Sequence, residues 1–194
     1  MNFSWLKSKK GFTLSEMMVV MVVFSLLSVA LSGIFVQFFN VEKRGYADQK
    51  LSSDMRFTLE MIAREVRMGN IDYRLTGYYG GTVPVPTDTL ALLDTSEAQT
   101  LFGLAGTDCE TTNDCYVFVR RNGTDYRITP EELAVNKLIF YISPTADPFT
   151  LQAAGTYLAN EQPHVVILLE EKDIKTGDIV LKMQTSVSSK IYKR

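Results

Sequence analysis

Met17–Val36 is an apolar run broken only by Ser25, Ser28, Ser32 and Gly33. A helix of about 20 residues is about 30 Å long, the thickness of one hydrocarbon core. A soluble core helix of that length carries polar residues along one face, and this run lacks such a face. The run therefore reads as a transmembrane segment at about residues 14–39. One acid, Glu16, stands at its head, and no further charge follows until Glu42. A carboxylate in a bilayer costs on the order of 3 kcal/mol on insertion scales, so its placement points to function.

Charge sets the orientation. Residues 1–11 hold Lys7, Lys9 and Lys10 and no acid, whereas Glu42, Lys43 and Arg44 follow the span. This bias puts the N-terminus in the cytoplasm and the bulk of the chain outside. The whole chain has net charge −2, so the part beyond the leader is mildly acidic and gives no reason to expect nucleic acid as a partner. Cys109 and Cys115 then lie in an oxidising compartment, where they can pair in a disulfide or remain two free thiols.

A conventional signal peptide also has a basic start and an apolar stretch, and Ala30-Leu31-Ser32 would suit its cleavage site. Two details oppose that reading. Glu16 interrupts the passage from basic to apolar, and Ile34, Phe35, Val36, Phe38 and Phe39 would leave the new end apolar. The stretch "KKGFTLSEMMVVMVV" instead resembles the class III signal of type IV pilins and pseudopilins. That resemblance implies cleavage between Gly11 and Phe12 by a membrane-embedded prepilin peptidase, which then methylates the Phe12 amine. It further implies that Glu16 meets the Phe12 amine of a neighbouring subunit during filament assembly. A Glu16 that snorkels to the headgroups is the alternative.

Beyond the span the pattern changes. Leu51, Met55, Leu59, Ile62 and Val66 form an amphipathic stripe among mixed charges, and Glu60 precedes Arg64 in the favourable i, i+4 order. No proline occurs before Pro84, and Gly69-Asn70 supplies a stop. The expected organisation is a cleaved leader at 1–11, one long helix at 12–69, and an extracytoplasmic head at 70–194. "DMRFTLEMIAREVRMGN" and the closing "LKMQTSVSSKIYKR" are similar to J-type minor pseudopilins of type II secretion and W-type minor pilins.

The head reads as β-rich. Strands are expected around Leu90–Leu93, on both sides of Asn122-Gly123, in "NKLIFYIS", and on either side of a Lys175-Thr176-Gly177 turn. About six strands, mostly hairpin-connected, would pack antiparallel on the upper helix, giving an α+β fold. The loop from Ile71 to Pro86, with Gly77, Tyr78, Tyr79, Gly80 and Gly81, is expected to expose its aromatics, as an ordinary turn or a subunit contact. Thr95–Asn113 is expected to be irregular.

The residues show no enzyme chemistry: there is no P-loop, dinucleotide fingerprint or metal-ligand cluster. Zinc would need two ligands beyond the cysteines, and His164 is the only histidine. Asp108, Glu110 and Asp114 crowd one loop and have oxygens of the kind calcium takes, but they lack the EF-hand spacing; a solvated acidic loop is the competing reading. Glu131-Glu132 and Glu170-Glu171 are adjacent pairs whose side chains diverge, so neither makes an acid/base pair. No cofactor is implied.

The resemblance implies a structural subunit that primes or caps a type IV pilus or type II secretion pseudopilus. Its implied partners are other pilin-like subunits, prepilin peptidase, an inner-membrane platform protein and membrane lipid. Its implied location is the bacterial cytoplasmic membrane, single-pass with the head outside, and then the filament. The rival is a membrane-anchored or secreted binding domain with a conventional signal.

Overall fold

The structure, a computed structural model, describes residues 11–75, 78, 81–94, 96–109, 111–152, 155–157, 161–174 and 180–190. The lysines of the leader, Gly77, Tyr79, Gly80, Glu110 and the Lys175-Thr176-Gly177 turn lie outside the described residues. The chain divides into two units, Met1–Tyr46 and Ala47–Arg194. Helix α1, Leu14–Met68, contributes its first part to one unit and the remainder to the other.

In the first unit nearly every described side chain is exposed, including Phe24, Leu26, Val29, Phe35 and Phe38. Water does not tolerate so continuous an apolar surface, so this part of α1 needs lipid or other helices around it. Among the described residues α1 is the one helix long and apolar enough to cross a membrane. Its three serines remain compatible with lipid. Ser25, Ser28 and Ser32 each donate a hydroxyl to the carbonyl four residues earlier, so no polar group is left over.

The second unit is the head. Leu51, Met55, Thr58, Leu59, Ile62, Ala63 and Val66 are the buried positions of α1. They include the whole stripe expected from its 3.6-residue period. They join one core with Leu90, Leu92, Phe102, Val117 and Val119 from one sheet and Leu138, Phe140, Ile142, Val165, Ile167 and Leu169 from another. Glu60 and Arg64 approach to 3.9 Å on the exposed side, a geometry worth a few tenths of a kcal/mol at most.

The first sheet is a meander of β1 (Asn70–Ile71), β2 (Leu90–Leu93), β3 (Gln99–Ala105), β4 (Tyr116–Arg121) and β5 (Thr124–Arg127). Asn122 and Gly123 have φ of 51° and 76°, the pair of positive values that a two-residue type I′ hairpin requires. The second sheet orders β6 (Leu133–Ser143), β7 (His164–Asp173) and β8 (Val180–Ser188), also antiparallel, with a bulge between Val135 and Lys137. β6 meets the first sheet's neighbourhood through its backbone: Val135 N–H donates to Cys115 O, and Phe140 exchanges two bonds with Thr87.

The fold is the expected α+β class with a long N-terminal helix, and two details correct the reading from sequence. Thr95–Asn113 is not irregular throughout, since Gln99–Ala105 is an interior strand of the five-stranded sheet. Its irregular look came from Gly103, which lies opposite Phe118 and leaves room for that ring. Tyr78 is also buried rather than exposed. Its hydroxyl donates to Thr89 O and accepts from Ala91 N–H, so the loop is stitched to β2. Tyr73, likewise buried, donates to Pro144 O.

Candidate functional site

The residues that carry the strongest chemical signal sit at the start of α1. Gly11, Phe12 and Thr13 precede the helix, and Phe12 is 75% exposed. Thr13 is the N-cap: its Oγ1 accepts the Glu16 N–H at 3.3 Å, and its carbonyl accepts the Met17 N–H at 3.2 Å. A threonine three residues before a glutamate is the signature of a capping box. Sequence reasoning concentrated on Glu16 and passed over Thr13, although "TLSE" contained that signal.

This arrangement has two chemical consequences. The Gly11–Phe12 peptide bond lies outside the hydrogen-bonded helix. Glu16 occupies the first turn, where its negative charge complements the positive end of the helix dipole. It therefore has a local role in starting the helix, beside any role toward a partner. By contrast the Ser32–Gly33 bond, the site a conventional signal peptidase would need, is interior to α1.

The sequence pattern of one family, described as the prokaryotic N-terminal methylation motif, matches residues 6–32. The N-terminus carries a methylation motif. The match spans the residues just before the cap, the cap itself and much of the apolar part of α1, and leaves the head unassigned. No curated protein and no solved structure matches the chain. The methylation motif thus agrees in place with the cap geometry, with Gly11, Phe12, Thr13 and Glu16 all falling inside it.

In the head, Cys109 and Cys115 are joined in a disulfide. Cys115 is fully buried. Gly106, at φ +134°, lies against it so closely that a Cβ would stand 2.4 Å from Cys115 Sγ. The acids of the same loop turn inward on the loop itself. Asp108 accepts from Thr111, and Asp114 accepts from Thr107 and Thr112. Those hydroxyls, Thr112's first, hold the Asp114 carboxyl below its ordinary value. Glu110, the third oxygen donor considered for calcium, lies outside the described residues. Among the described residues no group of three or more His, Cys, Asp or Glu side chains is placed to share a metal ion.

His164 begins β7 as an exposed residue, between Ser143 on β6 and Ser188 on β8. Of the glutamate pairs, Glu170 bonds with Lys182 at 3.0 Å while Glu171 turns to the other face and is fully buried. The two diverge as strand geometry requires.

Proposed function

We propose that this chain is a pilin-like filament subunit of the minor class, made as a membrane precursor and activated by prepilin peptidase. Cleavage between Gly11 and Phe12 releases residues 1–11, and the Phe12 amine is then methylated. The new ammonium lies four residues before Glu16 in the chain. In the filament Glu16 takes the Phe12 amine of a neighbouring subunit, because a carboxylate buried among apolar helices is costly until it is paired. The exposed apolar part of α1 passes from lipid to a bundle of such helices.

The head stands outside the cytoplasmic membrane and contacts other minor subunits, to prime or cap a type II secretion pseudopilus or a type IV pilus. A cytoplasmic motor acting through an inner-membrane platform protein drives assembly. Between the two machines, the similarity of the helix end and final strand to J-type and W-type proteins favours neither.

One observation supports this reading: the methylation motif matches residues 6–32, and the Gly11–Phe12 bond inside that span precedes the helix that Thr13 caps. The test is intact mass and N-terminal sequencing after expression with and without a prepilin peptidase. The expected mature chain starts at methylated Phe12 and has lost Trp5, its only tryptophan. In the same assay Glu16→Ala should be cleaved normally yet fail to enter filaments. A mature start at Gly33, or a chain left uncut by the peptidase, would instead establish a conventionally exported or anchored head.

A further inference from the structure

The face of β7 that looks into the core reads Val165, Ile167, Leu169, Glu171, three aliphatic side chains and then an acid, all four without exposed surface. Neither Oε1 nor Oε2 of Glu171 has a hydrogen-bond partner. Two further orphans come from the buried side of α1: Oδ2 of Asp54 and, one turn on, Oγ1 of the buried Thr58. The two Glu171 oxygens, buried without partners, would be strongly destabilising if that acid were ionised.

Among the described residues no cation is paired with Glu171. On α1 the nearest lysine toward the N-terminus, Lys50, bonds to Glu132 at the foot of β6. On β8, Lys182 is engaged by Glu170 on the opposite face of the sheet. On β7 itself, Lys172 reaches toward Asn113 Oδ1 at 3.5 Å and Asp173 adds only negative charge. Lys137 on β6 lies past the bulge and is exposed. The strand neighbours of Glu171 are Val135 and Leu181, which offer no side-chain donor. A divalent ion is poorly served too, since it wants six or more oxygens and, among the described residues, no group of three or more His, Cys, Asp or Glu is placed to share one.

We propose that Glu171 keeps its proton in the folded head, as a clasp that holds the inner face of β7 against the core it shares with α1. Protonated, Glu171 brings no net charge into the apolar core. The clasp makes the grip of the head on α1 depend on external pH. Burial, and then the Asp54 charge, push the Glu171 carboxyl up to about 8 from an ordinary 4.5. A group with a raised folded value contributes fully below its unfolded value, and its contribution falls as pH rises toward the folded value. The clasp is therefore fastened in mild acid, weakens through neutrality and is open above about pH 8.

The test uses the full chain in detergent micelles, melted across a pH series and examined by infrared spectroscopy for a buried protonated carboxylic acid. Between about pH 6.5 and about pH 9 the wild-type midpoint should fall by about 5 °C. Glu171→Gln should lose both this fall and the neutral-pH acid band, and at the alkaline end should melt above wild type. Asp54→Asn, which removes the like charge and keeps the shape, should move the pH of the fall downward. Parallel pH profiles for wild type and Glu171→Gln, or no acid band at neutral pH, would overturn the clasp. Rescue of the alkaline wild type by calcium chloride, absent in Glu171→Gln, would replace the proton with a cation and overturn it equally.

Discussion

At the scale of single residues, the tightest constraint in the head is Gly106. Its backbone is in a region that L side chains avoid, and any Cβ would enter the Cys115 sulfur and Cα. Gly106→Ala should destabilise the head by at least about 2 kcal/mol, from strain and from the clash together. Urea unfolding with a thiol assay on the same sample checks it, because an opened bridge and a strained closed one give different thiol counts at similar stability. Such positions were poorly legible in the sequence. Gly106 looked like loop glycine, and only the approach of Cys115 from nine residues away makes it obligatory. Glu171 was hidden for a different reason. Its neighbour Glu170 drew attention as a pair, whereas the period-2 row from Val165 already assigned Glu171 to the inner face.

At the scale of elements, α1 is where local and tertiary signals agree most closely. The stripe from Leu51 to Val66 packs inward, so propensity, period and burial point to one element. Ile62 is fully buried in that stripe. Ile62→Ala should cost 2–5 kcal/mol, about what burying and then vacating such a side chain costs elsewhere, measured as the shift in denaturant midpoint at constant slope. The β4–β5 hairpin was equally legible, since Asn-Gly can adopt the two positive φ values that its turn needs. β3 was not. Its pairing partners on β4 lie beyond the disulfide loop, and its glycine is explained only by the Phe118 ring across the ladder. β1, a two-residue strand, exists only because β2 runs beside it.

At the scale of the whole molecule, the two units obey different solvents. The first carries its apolar surface outward and the second carries it inward, which is why composition averaged over the chain looks ordinary. The change along α1 from apolar all round to apolar on one face was plain in the sequence, because a charge-free run cannot be confused with a half-polar one. The partition of the strands into two sheets was not, because hairpin signals specify neighbours and say nothing of where one sheet stops. For the head, the covalent link is one short loop. Replacing Cys109 and Cys115 together by Ser should lower its stability by about 2 kcal/mol while leaving its circular dichroism unchanged, since so small a loop restricts few unfolded conformations.

The far end of α1 is closed by the chain's other extreme. Ser189 Oγ donates to Gly69 O at 2.8 Å across a separation of 120 residues, and Lys190 N–H donates to Arg67 O at 3.1 Å. A ribosome delivers the helix early and these two residues late. Throughout the synthesis of both sheets, the last carbonyls of α1 stay open. A nascent chain arrested before Ser189 keeps the Gly69 N–H bond to Glu65 O but lacks the two that reach Arg67 O and Gly69 O.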